Sequence, residues 1–284
     1  MSYAKYDKIC RILPIKHKMN KEKISLFIDQ IQSQGRYSFT LEEIIQKTGQ
    51  IVRAIRKTLE RQQQRGRIVL VSRGFYVIIP LEYRESGILP PEWFIHDLMA
   101  HLNLPYYVGL LSAAALHGAA HQRPQEFQVL IEKQLRPILV KGLSIRFFMK
   151  KNLDVSSGTV QIKTETGFLK ASGPELTALD LIKYPMASGG LGNIATILLE
   201  LVEKISADEL ILIARRERTF VYIQRLGYLL DHLGFESKTE SLAQWLFKQK
   251  SHPVLLDPAQ SKGESSFNKK WKLFENQIIE AESL

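Results

Sequence analysis

TLEEIIQKTGQIVRAIRKTLERQQQRGRIVLVSRGFYVIIP, residues 40–80, carries the local signals that decide the fold of the amino-terminal part. Thr40-x-x-Glu43 is a capping box, in which hydroxyl and carboxylate satisfy each other's backbone N–H groups at a helix start. It opens a short helix through Leu41, Ile44 and Ile45. Gly49 marks a tight turn, and a second helix is predicted over 50–65, stopped by Gly66. Two β-rich runs, 68–71 and 75–79, then flank Ser72-Arg73-Gly74, a hairpin signal. Upstream, Ile24, Phe27, Ile28 and Ile31 recur at i, i+3, i+4 and i+7, one stripe of an amphipathic helix that Asn20 can cap and Gly35 can end. Tyr37-Ser38-Phe39 reads as a strand or extended link. A helix, a link, two helices around a tight turn and a hairpin follow the order of a winged helix-turn-helix, whose second helix of the pair enters the major groove.

The helical wheel of that second helix sorts its side chains by chemistry. With Gln50 at zero and about 100° per residue, Ile51, Val52, Ile55 and Leu59 fall between about 100° and 200°. Arg53, Lys57, Arg61 and Gln64 fall between about −60° and 20°, nearly opposite. The apolar stripe is expected to pack on the preceding helices, with Glu60 at the margin of the other face. Guanidinium, ammonium and amide donors on one exposed face suit guanine edges, adenine edges and phosphates. Gln50, Arg53, Lys57, Arg61 and Gln64 are therefore the expected DNA-binding residues. Arg73 joins them at the hairpin tip, within reach of a minor groove or phosphate.

Charge is distributed to match. The net charge is +10, and residues 1–80 hold 16 Lys/Arg against 6 Asp/Glu, whereas residues 81–284 hold 23 of each. A basic segment fused to a neutral one points to a polyanion-binding module attached to something that works otherwise. Lys5, Lys8, Arg11, Lys16, Lys18, Lys21 and Lys23 form either a basic arm or a frayed terminus. The single cysteine, Cys10, excludes an intramolecular disulfide and a multi-cysteine zinc site, in keeping with a reducing cytosol. The amino terminus lacks the apolar run of a signal peptide, and no run approaches the ~20 apolar residues that span a bilayer. A cytoplasmic protein without a membrane partner is expected.

Residues 81–284 read as a larger mixed α/β domain, with a possible sub-boundary near 185–192, so the fold class is α+β in two domains, 1–80 and 81–284. Helices are expected around 93–102 and in LLSAAALHGAA, and strands at 127–131, 143–149 and 160–164. Ser172-Gly173-Pro174-Glu175 starts another helix, Ser206-x-x-Glu209 is a second capping box, and a further helix ends at Gly234. PVLLDP and KWKLFEN are expected to return as short strands.

Catalytic chemistry finds little support. His117 and His121 share a helix face, but the residue after the first is Gly118 rather than the glutamate of a zinc protease, and no third ligand is apparent. GGLG at 189–192 lacks the lysine of a phosphate-binding loop and reads as a turn and helix cap. Ser112 has no G-x-S-x-G context. Arg215, Arg216 and Arg218 suit a phosphate or acidic partner, yet they also suit a helix carboxyl terminus. No catalytic residue, metal ligand or cofactor is expected.

LPPEWFIHDLMAHLNLPYYVGLLSAAALHGAAHQRPQEFQV (89–129) resembles the central block of the AbiEi-family antitoxins of type IV toxin–antitoxin systems, which act in abortive infection by phage. GGLGNIATILLEL (189–201), RLGYLLDHLG (225–234), LLDP (255–258) and KKWKLFEN (269–276) extend the resemblance, which spans about residues 20–280 and leaves only the basic leader apart. The resemblance implies a non-enzymatic protein with two roles. One is repression of its own operon, through a winged helix on promoter repeats. The other is counteraction of a nucleotidyltransferase-like toxin by the carboxyl-terminal domain, without a stable complex. The residues also fit a stand-alone transcription factor whose carboxyl-terminal domain senses a ligand, or a DNA-targeted enzyme with a hidden central site.

Overall fold

The computed structural model describes residues 23–120 and 124–279. Asn20, the basic leader up to Lys21 with Cys10, and His121 lie outside the described residues, whereas Lys23 is exposed at the start of the first described helix. The chain divides into two compact units. One comprises Met1–Leu104, Pro137–Ile145 and Lys163–Phe168, the other Pro105–Arg136, Arg146–Ile162 and Leu169–Leu284.

Among the described residues the first unit begins with α1 (residues 23–33), whose Ile24, Phe27, Ile28 and Ile31 are all buried. β1 (Ser38–Thr40) leads directly into α2 (Leu41–Thr48), and the capping box forms in full. The Thr40 N–H donates to Glu43 Oε2 at 2.6 Å, and the Glu43 N–H donates to Thr40 Oγ1 at 3.1 Å. Partial burial opposes the charge on Glu43, but hydrogen bonds from Arg36 and Thr40 outweigh it and hold the carboxyl below its usual range. Gly49 closes the helix at φ +62°, a conformation that side chains with a Cβ rarely adopt. α3 (Val52–Gln64) follows, then β2 (Ile68–Ser72) and β3 (Phe75–Ile78), which pair antiparallel around Arg73-Gly74. β3 lies between β1 and β2 in this sheet. The apolar faces close on one core of Ile24, Ile28, Phe39, Ile44, Ile55, Leu59, Ile68 and Ile78.

Residues 81–104, beyond the charge boundary at Pro80, belong to this unit too. Its α4 (Ile95–His101) presents Asp97 to Ser38, whose hydroxyl donates at 2.5 Å, and His101 Nε2 lies 2.9 Å from the Arg73 carbonyl. The β-hairpin of β6 (Ile138–Val140) and the first residues of β7 (Leu143–Met149), together with Lys163–Phe168, completes the unit.

In the second unit, β4 (Tyr106–Val108) pairs antiparallel with β5 (Phe127–Ile131) and parallel with β9 (Gly167–Ser172). The later parts of β7 and the earlier parts of β8 (Thr159–Thr164) extend the sheet on either side. α5 (Leu110–Leu116) precedes a helical layer built around α6 (Pro174–Lys183), which starts on Pro174 as its sequence dictates. α6 packs against α5, α7 (Gly190–Leu201), α8 (Ala207–Arg216) and α9 (Phe220–His232). α10 (Glu236–Phe247) then packs on α8 and α9. Gly189 and Gly190 both take positive φ where GGLG turns into α7, so that motif is a cap. The second capping box forms only in half. Ser206 Oγ accepts from the Glu209 N–H at 3.5 Å, but the Ser206 N–H goes to Glu175 on α6. The short strands β10 (Val254–Leu255), β11 (Phe267–Asn268) and β12 (Leu273–Phe274) form a separate small sheet.

Candidate nucleic-acid interface

α3 buries Ile55, Thr58, Leu59 and Gln62, four positions that share one side of a 3.6-residue period. Gln62 is polar, yet it is satisfied there: its side-chain amide donates to Ser25 Oγ at 3.0 Å on α1. The buried stripe is therefore turned from the one the apolar residues alone predict. Ile51 and Val52 were expected on it, but Ile51 is 79% and Val52 36% exposed. The reason is local. The helix begins at Val52, and Ile51 occupies the cap position in an extended conformation, so the helical wheel does not govern it. Gln50 likewise precedes the helix rather than opening it.

The rotation changes the outward face. Arg53, Lys57 and Gln64 are exposed on α3, and Arg61 is half-buried at its edge. Glu60, expected at the margin, lies close to the centre of the exposed face, roughly opposite the Thr58–Gln62 side. Arg56 is exposed as well, flanking the face, and no wheel centred on Ile51 and Val52 would have included it. The acidic side chain sits among four exposed or edge cations of one helix. Gln50 is half-buried just before the helix.

Arg73 occupies the turn of the β2–β3 hairpin with its side chain exposed. Its backbone is fixed rather than free. The Arg73 carbonyl faces His101 Nε2, the next residue's carbonyl accepts the Leu41 N–H at 2.8 Å, and Phe75 lies 5.5 Å from the His101 ring. The hairpin tip is thus tied to the start of α2 and to α4, while the Arg73 side chain stays exposed. Arg67, just before β2, is engaged in an ion pair with Asp29 of α1 and serves the fold.

The second unit holds a polar cluster that the sequence reading did not single out. Tyr107 of β4 donates its hydroxyl to Asp180 Oδ2 of α6 at 2.6 Å. Lys150, just after β7, donates to the same hydroxyl at 2.7 Å and to Asp180 Oδ1 at 2.8 Å. Asp180 is fully buried, and burial together with the Asp180 charge pushes the Tyr107 phenol well above its usual range. The available signal was a lone carboxylate in the apolar run LTALDLIK, since buried carboxylates are rare unless paired. His117, at the end of α5, directs Nε2 to the Ser172 carbonyl at 2.7 Å, which occupies that nitrogen as a donor. Among the described residues no group of three or more His, Cys, Asp or Glu is placed to hold a metal ion, and no helix is long and apolar enough to cross a membrane.

Comparison with known proteins bears on the second unit above all. The crystal structure of the RV2827C protein from Mycobacterium tuberculosis superposes with a TM-score of 0.65 over 89% of this chain and 90% of that one, at 20% sequence identity, a likeness of fold. The curated proteins give no match. Residues 107–232 match the family model of the AbiEi antitoxin C-terminal domain. That stretch opens on Tyr107, takes in Lys150 and Asp180, and closes with α9, so this part of the chain is similar to the AbiEi antitoxin C-terminal domain.

Proposed function

We propose that the first unit is a winged helix that reads promoter DNA, and that the protein represses its own operon while counteracting a nucleotidyltransferase-like toxin in the cytoplasm. The observation that carries the DNA half is the exposed face of α3, where Arg53, Lys57 and Gln64 stand outward on a helix anchored from behind by Ile55, Leu59 and Gln62. The order of elements around it, helix, strand, helix, helix and hairpin, is that of a winged helix. Arg73 at the hairpin tip supplies a phosphate or minor-groove contact, and Arg61 and Gln50 extend the face toward its edges. Inverted repeats in the operon's promoter are the expected target. The antitoxin half rests on the domain match at residues 107–232 and needs neither a catalytic residue nor a cofactor.

Binding to a fragment of the chain's own upstream DNA, followed by fluorescence anisotropy, tests the reading. With about six phosphate contacts, affinity should fall roughly 10³-fold between about 50 and 200 mM salt. Arg53→Ala and Lys57→Ala should each cost ~1–3 kcal/mol if they read bases, with an unchanged circular dichroism spectrum. A doubly substituted protein that binds like the parent would remove α3 from the interface.

A further inference from the structure

A cavity of about 410 Å³ opens in the second unit where the end of β7, the end of α8 and the start of α9 meet. Its lining is strongly cationic: Lys150, Lys151, Lys183, Arg216 and Arg218 against the carboxylates Asp154 and Glu217. This concentration stands out because residues 81–284 as a whole carry equal numbers of cations and carboxylates. Two of the lysines are built into the wall. Lys150 and Lys183 are only 17% and 13% exposed, and each is held by a carboxylate, Asp180 and Glu217 respectively. The other cations are available. Lys151 and Arg218 are exposed and make no ion pair among the described residues, and Arg216 is exposed with only a through-space influence on Asp154.

The framework around these charges is rigid. Tyr184 donates its hydroxyl to the Met149 carbonyl at 2.9 Å, and Lys183 lies 5.6 Å from the centre of the Tyr222 ring. Thr219 and Tyr222 bring the first turn of α9 to the same cavity. That turn contains no acidic residue and has no side-chain cap, so its N–H groups add a partial positive charge to the cations. A solvated patch of a neutral domain has no reason to bury two lysine stems and leave two arginines unpaired beside them. The volume suits a small ligand and not a polypeptide segment.

We propose that this cavity binds a small phosphorylated ligand, with a phosphoryl or pyrophosphoryl group seated between Arg216, Arg218 and the first turn of α9, and Lys150 and Lys183 facing it from the wall. The arrangement combines guanidiniums, which grip phosphate in a fork, with lysines that act as point charges. The proposal is independent of the DNA-binding reading, which concerns the other unit.

Isothermal titration of the full chain with inorganic pyrophosphate at low salt is the direct test. Saturable binding at a single site per chain is expected, weakened about tenfold or more by Arg216→Ala with Arg218→Ala and less by Arg216→Lys with Arg218→Lys, which keeps the charge and loses the fork. Thermal melting of each variant, which should match the parent without ligand, separates lost binding from lost folding. No saturable heat with millimolar pyrophosphate, or equal affinity in the paired alanine variant, would overturn the proposal. So would a variant that leaves pyrophosphate binding intact and instead weakens promoter DNA binding, since the cations would then belong to a nucleic-acid surface.

Discussion

Asp180 illustrates how much one buried atom pair can hold. Its two oxygens accept from Tyr107 and Lys150, so β4, the end of β7 and α6 converge on one carboxylate with no exposure to water. Asp180→Ala would leave the Lys150 ammonium without its carboxylate and the Tyr107 hydroxyl without the acceptor of its proton. Removing one member of such a pair costs about 3–5 kcal/mol, because the remaining charge is stranded in a poorly solvated place. A urea denaturation midpoint should fall accordingly, and Asp180→Asn, which keeps the shape and an acceptor oxygen, should lose less. A midpoint for Asp180→Ala within experimental scatter of the parent would mean that Lys150 escapes to solvent at little cost. At this scale the sequence was partly legible. The carboxylate in LTALDLIK announces burial, but its partners come from segments distant in the chain, and pairing of that kind is tertiary. The same limit explains α3. Hydrophobicity alone assigned Ile51 and Val52 to the core, whereas Thr58 and Gln62 took those places because Ser25 and the Ala54 carbonyl satisfy their polar atoms. The basic residues were nevertheless found on the outside, since charge seeks water whichever way the helix is turned.

Whole elements were read more reliably than their inner faces. The Thr40–Glu43 box, the Gly49 turn, Pro174 at the first turn of α6 and the strands at 127–131 and 143–149 all stand where local chemistry puts them. Local signals suffice when the interacting groups lie within four residues. They failed at Ser206, where the reciprocal acceptor is Glu175 from another helix rather than Glu209. They were also silent on why α9 contains Gly227 in its middle, a residue that costs a helix about 1 kcal/mol relative to alanine. The explanation is Trp271, which is fully buried against that position and donates its indole N–H to Asp231 at 2.7 Å. A Cβ built on Gly227 would lie 2.1 Å from the indole ring. Gly227→Ala therefore gains helix propensity and loses the seat of the ring. Overpacking of this kind costs about 1–3 kcal/mol, and a clash with the face of a fixed ring belongs at the upper end, so the net change should be destabilising. The melting temperature should drop, with a red shift in tryptophan emission as Trp271 is displaced. An unchanged melt would show that the segment from Val254 to Phe274 is not essential to the stability of α9.

At the scale of the molecule, the charge distribution and the compact units divide the chain differently. The cationic excess ends by Pro80, but the first unit continues to Leu104 and reclaims Pro137–Ile145 and Lys163–Phe168. The chain therefore leaves and re-enters the first unit, which no count of charges along the sequence could reveal. A separation of DNA binding from toxin neutralisation, expected on the proposed function, is thus poorly tested by cutting near residue 85. A fragment of residues 86–284 would keep α4 without the Ser38 hydroxyl that pairs with Asp97 and without the Arg73 carbonyl that faces His101. It would also keep the β6–β7 hairpin without the rest of its unit, exposing surface that is buried in the whole chain. Lower soluble yield and a lower melting temperature than the full chain are expected from it. Point variants avoid this damage, because Arg53 and Lys57 are exposed and support no part of the core. The full-length protein with both changed to alanine should still rescue growth beside its toxin, while a promoter reporter becomes derepressed. Rescue and repression lost together, in a variant that melts like the parent, would mean that neutralisation runs through DNA binding and that the two roles are one. Rescue retained with repression intact would instead take α3 out of the operator complex and leave the hairpin or another surface to carry it.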